Sequence, residues 1–314
     1  MTKLQAAVVS ALVVVAGCRR DTSPNPLQAA ENLLSRGKTP EAIETLASVP
    51  WPAPEALAAR RLVAEICTRI DLLNRGDGSD QPRVEIPEII STLPHDASCF
   101  TQGLEFDRGT LLESCGGYGR SSARRLDART GAVLQEYKLD SKYFGEGLTQ
   151  FRGSIFVLTW REGEALVLDT TLARQARRFA VEGEGWGITH DETELIYSNG
   201  SNELRFLDPK TGGITRTLRV FNGDLPLMGI NELEYIDGEL LANIFLTERI
   251  ARIDPTSGKV LGWILAEGLL PNRLRFKGAD VLNGIAYDSV GERLFLTGKR
   301  WPHIFVVRLK PLTL

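Results

Sequence analysis

Among the side chains able to do chemistry, Glu146 stands out, an acid set between two glycines in Phe144-Gly145-Glu146-Gly147. The glycines leave a carboxyl room to meet a ligand, and apolar surroundings favour its protonated form. Both conditions suit a proton carrier working near neutral pH. The same pattern fits a structural carboxylate that receives backbone amides at a strand start, and the residue types leave both readings open. Four more side chains occupy equivalent places. Gln102 precedes Gly103-Leu104, Trp186 precedes Gly187-Ile188, Asn231 precedes Glu232-Leu233 and Asn283 precedes Gly284-Ile285. Trp160 and Trp186 offer either packing or a stacking wall. Asn231 and Asn283 offer either ligand contacts or strand-end hydrogen bonds.

Other chemistries lack their residues. His95, His190 and His303 have no paired ligand spacing, and neither Cys-x-x-Cys nor His-Glu-x-x-His occurs, so no metal site is expected. A Gly-x-Ser-x-Gly elbow is missing too. The run Gly183-Glu184-Gly185-Trp186-Gly187 lacks the spacing and the following helix of a dinucleotide loop. With 37 basic and 40 acidic residues and a net charge of −3, no broad attraction to phosphate backbones arises, and nucleic acid is not an expected partner.

The elements that must position these residues follow from their spacing. The five places are about 44, 40, 45 and 52 residues apart, the period of a four-stranded propeller blade. A ring of such blades brings the starts of all innermost strands to one end of a central channel. Second strands follow past a turn, as in Ser154-Ile155-Phe156-Val157-Leu158-Thr159 and Glu239-Leu240-Leu241-Ala242-Asn243. Third and fourth strands flank turns opened by Asp127, Asp208 and Asp254, each followed by a Thr or Ser and a Gly, which reads as Asx-turn chemistry rather than catalysis. The expected fold is all-β, a five-bladed β-propeller over residues 84–311, with Val84 to Ile90 supplying the strand that closes the last blade.

A different texture precedes it. Lys3 leads an apolar run from Leu4 to Val15 that ends Val15-Ala16-Gly17-Cys18, which resembles a bacterial lipoprotein box. Residues 1–18 are therefore expected to be a signal peptide with lipidated Cys18, anchoring the protein to a membrane of the bacterial cell envelope. Arg19, where Asp would retain an inner-membrane lipoprotein, points to the outer membrane. Residues 19–26 read as a tether. Residues 27–75 carry three helical stripes: Leu27, Ala30, Leu33 and Leu34; Ala42, Ile43, Leu46 and Ala47; and Leu57, Leu62, Ala64, Ile66, Ile70 and Leu73. This segment is either a packing element or a site for a protein partner. Cys67 on the third stripe reads as a small buried residue, whereas Cys99 and Cys115, on adjacent strands, leave a disulfide open.

The motif series resembles that of the plant and bacterial type glutaminyl cyclases. It comprises Phe100-Thr101-Gln102-Gly103-Leu104, Phe144-Gly145-Glu146-Gly147-Leu148-Thr149, Leu158-Thr159-Trp160, Glu182 to Gly187, Asn231-Glu232-Leu233, Leu282 to Asp288 and Thr297-Gly298-Lys299-Arg300-Trp301-Pro302. The resemblance covers about residues 90–309. It implies a five-bladed propeller that converts the N-terminal glutamine of a peptide or protein to pyroglutamate with release of ammonia, without zinc or any cofactor. By the same resemblance Glu146 carries the proton, Gln102 and Asn231 orient the amide and amine, and Lys299 lies near the substrate. Phe100, Phe144, Trp160 and Trp186 form the aromatic wall. Phe245 stands where the family usually has Trp, which keeps an aromatic face and loses an indole N–H. Asn199 replaces a common Asp. The alternative is a lipid-anchored propeller that binds a peptide or envelope partner without turnover.

Overall fold

A computed structural model of the chain describes residues 25–50, 53–68, 82–275 and 277–312. Cys18, Ile70 and Leu73 lie outside the described residues. Three helices come first: α1 (Pro26–Ser35), α2 (Thr39–Ala47) and α3 (Ala56–Cys67). Proline opens α1 and α2, where its missing N–H has no intrahelical partner to lose. Asn25 Oδ1 caps α1 by accepting from Leu27 N at 2.9 Å, so the helix takes in the end of the stretch read as a tether. One stripe differs from expectation: Leu57 is exposed, and Ala56 and Ala59 face the core instead.

The rest of the chain is β-structure, and its hydrogen-bonded order is that of consecutive meanders. β2 (Thr101–Asp107), β3 (Thr110–Cys115), β4 (Ser122–Asp127) and β5 (Val133–Lys138) form one four-stranded sheet. A second contains β6 (Gly145–Phe151), β7 (Ser154–Thr159), β8 (Glu164–Asp169) and β9 (Gln175–Ala180). The third contains β10 (Ile188–His190), β11 (Leu195–Ser198), β12 (Glu203–Leu207) and β13 (Ile214–Arg219). A short hairpin, β14 (Phe221–Asn222) and β15 (Leu225–Pro226), then precedes an eight-stranded sheet. That sheet joins β16 (Ile230–Ile236), β17 (Glu239–Ile244), β18 (Arg249–Ile253) and β19 (Val260–Leu265) to β20 (Leu282–Asp288), β21 (Arg293–Gly298) and β22 (His303–Pro311). The link is β1 (Arg83–Pro94), antiparallel to β22 and parallel to β19.

These sheets form a propeller-like ring. Each first strand, β2, β6, β10, β16 and β20, touches the next, and β20 returns to β2. Glycine makes the approach possible. A Cβ at Gly103 would lie 2.5 Å from Leu148 N, one at Gly147 would lie 2.6 Å from Ile188 N, and one at Gly187 would collide with the Asn231 carbonyl. The Gly-aliphatic pairs that begin at Gly103, Gly147 and Gly187 are thus points of backbone contact between sheets.

Each seam is also latched by a hydrogen bond. Ser114 Oγ donates to Glu146 O at 2.5 Å, Gly147 N to Trp186 O at 2.7 Å, and Ser198 Oγ to Asn231 O at 2.6 Å. Gly284 N donates to Asn243 Oδ1 at 2.9 Å, and Asn283 Nδ2 to Thr101 O at 3.0 Å. At the outer edge, Asp127 Oδ1 accepts from Arg129 N and Thr130 N, and Asp208 Oδ1 from Lys210 N and Thr211 N, as Asx-turns require. Backbone donors hold both carboxyls below their ordinary range.

The helices share a core with this ring. Leu27, Ile43, Leu46, Leu62 and Val63 belong to the same buried cluster as Ile196, Phe206, Ile230, Ile244 and Trp263. Two polar contacts fix the end of α3: Asn222 Nδ2 donates to Cys67 O at 2.9 Å, and Arg249 Nη1 to Thr68 O. Cys67 is fully buried, and burial pushes its thiol up to about 11, consistent with an inert packing residue. Cys99 and Cys115 are joined in a disulfide, which resolves the pairing left open above.

The seam contacts give the first prediction. Gly187→Ala forces β10 and β16 apart at the Asn231 carbonyl, and should destabilise the protein by roughly 3 kcal/mol in urea unfolding. An unchanged midpoint would show that the ring does not rest on this approach.

Candidate active site

Two of the inner strands bring the acid and an amide together. Gln102 is the second residue of β2 and Glu146 the second of β6, and Gln102 Nε2 donates to Glu146 Oε1 at 3.1 Å. Both are buried, at 2% and 5% exposure. The seam latches use the backbone carbonyls of Glu146, Trp186 and Asn231, leaving their side chains for other contacts.

Around this pair runs a closed circuit of contacts. The Phe100 and Phe144 rings are 6.3 Å apart edge to face, and Phe144 and Trp160 are 5.4 Å apart. Trp160 Nε1 donates to Glu184 Oε2 at 2.9 Å, and Trp186 Nε1 donates to the same oxygen at 3.0 Å. Trp186 meets Phe245 edge to face at 5.4 Å. Lys299 Nζ closes the circuit, 5.3 Å from the Phe245 ring and 4.9 Å from the Phe100 ring. The structure thereby brings together eight of the sequence-selected residues: Phe100, Gln102, Phe144, Glu146, Trp160, Trp186, Phe245 and Lys299. Asn231 is buried at the start of β16, bonded to Ser198 through its carbonyl. Cys18 lies outside the described residues.

Burial governs the electrostatics. Desolvation pushes the Glu146 carboxyl well above the ordinary range; the Lys299 ammonium pulls it down, while Glu184 and Glu162 push it further up. Desolvation also lowers Lys299, against the pull of Glu146 and Asp280. Several buried polar atoms lack a protein partner: Gln102 Oε1, Asn231 Oδ1, Asn243 Nδ2 and Asn283 Oδ1. All four belong to residues at inner-strand starts or seams.

Some residues of this arrangement escape a reading of the sequence. Glu184 anchors both indoles and pairs with Arg161 at 3.1 Å, and its Gly183-Glu184-Gly185 setting copies that of Glu146, which was the available signal. Glu162 accepts from Tyr118 Oη at 2.9 Å, and Tyr118 packs against Phe144 at 5.4 Å. Within the ring, Glu232 accepts from Leu104 N at 3.3 Å and Ile285 N at 3.0 Å, tying β16 to two other inner strands, β2 and β20, from the one inner-strand start that has Glu in place of Gly. Desolvation raises Glu232 and Glu234 well above the usual carboxylate range and Glu105 to about 7.

One group among the described residues could present three metal-ligating atoms, His95, Cys99 and Glu113. Their bonds are already committed. The Cys99 sulfur is joined to Cys115, and His95 Nε2 pairs with Glu113 Oε1 at 2.7 Å while Nδ1 donates to the Trp301 carbonyl.

Comparison with known proteins adds a family to this geometry. Residues 62–309 match the model of the glutamine cyclotransferase family. The chain is 40% identical over 232 residues to the glutaminyl-peptide cyclotransferase of Arabidopsis thaliana, covering 73% of this chain and 72% of that protein. It is also similar to the crystal structure of Myxococcus xanthus glutaminyl cyclase, with a TM-score of 0.69 and 32% identity. That match takes in 74% of this chain and all of the Myxococcus chain.

The shared acceptor at Glu184 can be tested directly. Glu184→Ala leaves two indole N–H groups unanchored and should shift tryptophan emission and cost about 1–3 kcal/mol in stability. Glu184→Gln, which keeps an acceptor oxygen, should stay close to the parent protein. Identical emission and stability in all three would show that Glu184 does not position the indoles.

Proposed function

The chain belongs to the glutamine cyclotransferase family, and from that membership and the geometry of its site we propose that it converts the N-terminal glutamine of peptides or proteins to pyroglutamate, releasing ammonia. The observation that carries this reading is the Glu146 carboxyl, buried, driven toward its protonated form and bonded to the Gln102 amide inside an aromatic enclosure. In this reading the five inner strands are the hubs of five propeller blades. Cys18 carries the lipid anchor that places the enzyme in the bacterial envelope, at the outer membrane.

The reaction is an acyl transfer in which acceptor and donor belong to one residue. The glutamine α-amine attacks the γ-amide carbon, forming the ring C–N bond. As the bond to the amide nitrogen breaks, Glu146 gives that nitrogen its proton and takes the proton shed by the attacking amine, ending as it began. Gln102 Oε1 and Asn231 Oδ1, buried acceptors without partners, receive the substrate N–H groups. Asn243 Nδ2, a donor without a partner, is available to the amide oxygen as it gains charge. The rings of Phe100, Phe144, Trp160, Trp186 and Phe245 exclude water and hold the glutamyl chain, and Lys299 biases the ionisation of Glu146. A five-membered ring closes readily once the amine and carbonyl are aligned. The scheme draws on side chains alone and uses neither zinc nor another cofactor.

Incubating the protein lacking residues 1–18 with a Gln-initiated peptide should release ammonia. Glu146→Gln should lower kcat by roughly 10²–10⁴-fold with peptide binding retained. Equal low rates in both, with binding intact, would instead leave a peptide-binding protein. The pH profile gives a second test. Because the Lys299 ammonium favours the Glu146 carboxylate, Lys299→Met should let the acid keep its proton to higher pH. The limb of kcat/KM assigned to Glu146 should then move up, and a limb that stays or falls would remove Lys299 from this role.

A further inference from the structure

We propose that the helical segment completes the active site, forming with Trp186 and Phe245 a subsite for the side chain of the residue that follows the N-terminal glutamine, and that this subsite prefers an apolar one. The inference rests on the cyclase reading and adds to it a specificity determinant built from residues before the propeller.

A cavity opens between the helices and the propeller. Ala47 at the end of α2 and Arg60, Val63 and Ala64 on α3 line one side, and Trp186, Met228 and Phe245 line the other. Trp186 and Phe245 are the same two rings that complete the enclosure around Glu146. The cavity is therefore adjacent to the glutamine site across a shared wall. A substrate whose first residue lies inside the enclosure must place its second residue outside it, and we take the recess that shares two of the enclosing rings as the place that receives it.

The recess is built into the fold. Gly200 and Gly229 also line it, and their backbones are bonded in sequence, Gly229 N to Gly200 O at 2.9 Å and Phe245 N to Gly229 O at 2.8 Å. Gly200 packs against the Trp186 ring, where a Cβ would lie 2.6 Å from Cη2. A floor of bonded glycine backbone keeps the space free of side chains and fixes the indole. The opposite wall is held by the Asn222 and Arg249 contacts to the end of α3 and by the shared apolar core. Arg60 is the one charged residue of the lining; the other eight residues offer Ala, Val, Gly, Met and aromatic surface, which favours an apolar occupant. The Myxococcus enzyme is matched over its whole length by 74% of this chain, so the remaining quarter has no counterpart there. The family match likewise begins only at residue 62, which leaves α1, α2 and the first half of α3 outside it.

The test compares kcat/KM for Gln-Leu and Gln-Gly peptides, each expressed relative to glutamine amide, which has no second residue. In the parent protein the Gln-Leu ratio should exceed the Gln-Gly ratio. Ala47→Phe fills the recess at a half-buried position and should lower the Gln-Leu ratio at least fivefold, leaving the Gln-Gly ratio less affected. Met228→Ala enlarges it and should raise the ratio for Gln-Trp. Unchanged ratios in both folded variants would overturn the subsite, as would a parent protein that prefers Gln-Gly or an acidic second residue. Failure of the parent to turn over glutamine amide or any peptide would overturn the cyclase reading, a result distinct from either.

Discussion

Five strands that meet around one axis must come closer together than side chains allow, and this constraint orders the rest of the molecule. Gly103, Gly147 and Gly187 meet it by omission, since a Cβ at any of them would strike the backbone of the next sheet. Their neighbours then carry the seam. Ser114 binds the Glu146 carbonyl, Gly147 binds the Trp186 carbonyl and Ser198 binds the Asn231 carbonyl. The residues that face the candidate site are thus the ones whose peptide groups hold the ring shut. Architecture uses their main chains, and chemistry is left their side chains.

The aromatic wall and the acid are linked through electrostatics. Two half-buried indoles each need an acceptor, and Glu184 serves both with one oxygen. The negative charge brought in for that purpose reaches Glu146, where it reinforces desolvation and opposes Lys299. The carboxyl's tendency to hold its proton therefore depends partly on how the wall is hydrogen-bonded. Substitutions in the wall alter both the shape of the site and the ionisation of its acid.

Much of this was legible in the sequence because backbone contact imposes a spacing. A Gly-aliphatic or Glu-Leu pair, recurring every 40 to 52 residues, marks strand starts that must converge. The Asp127 and Asp208 turns were legible because Asx-turn chemistry is local. What escaped depends on contacts between distant segments. Glu184 carries the same Gly-Glu-Gly signature as Glu146, and only the fold separates an anchor for indoles from the acid at the centre. Glu232 reads as a departure from the glycine pattern until its carboxylate is seen bridging Leu104 and Ile285. Leu57 fits a helical stripe by spacing, yet α3 turns Ala56 and Ala59 inward, because small residues allow close packing at that end. Helical periodicity gave no indication that α2 and α3 would pack beside Trp186 and Phe245.

The strand β1 joins the beginning of the ring to its end, pairing residues 85–94 with residues 303–311. A contact between such distant parts of a chain carries a large loop-closure entropy, and topologies rich in such contacts fold slowly. The pairing also cannot form until the final strand has been synthesised. Until then the inner strands have no closed circle to hold them together, and β1 lacks its antiparallel partner. The candidate site is thus one of the last features this polypeptide can acquire, since its perimeter includes both Phe100, just before β2, and Lys299, just after β21.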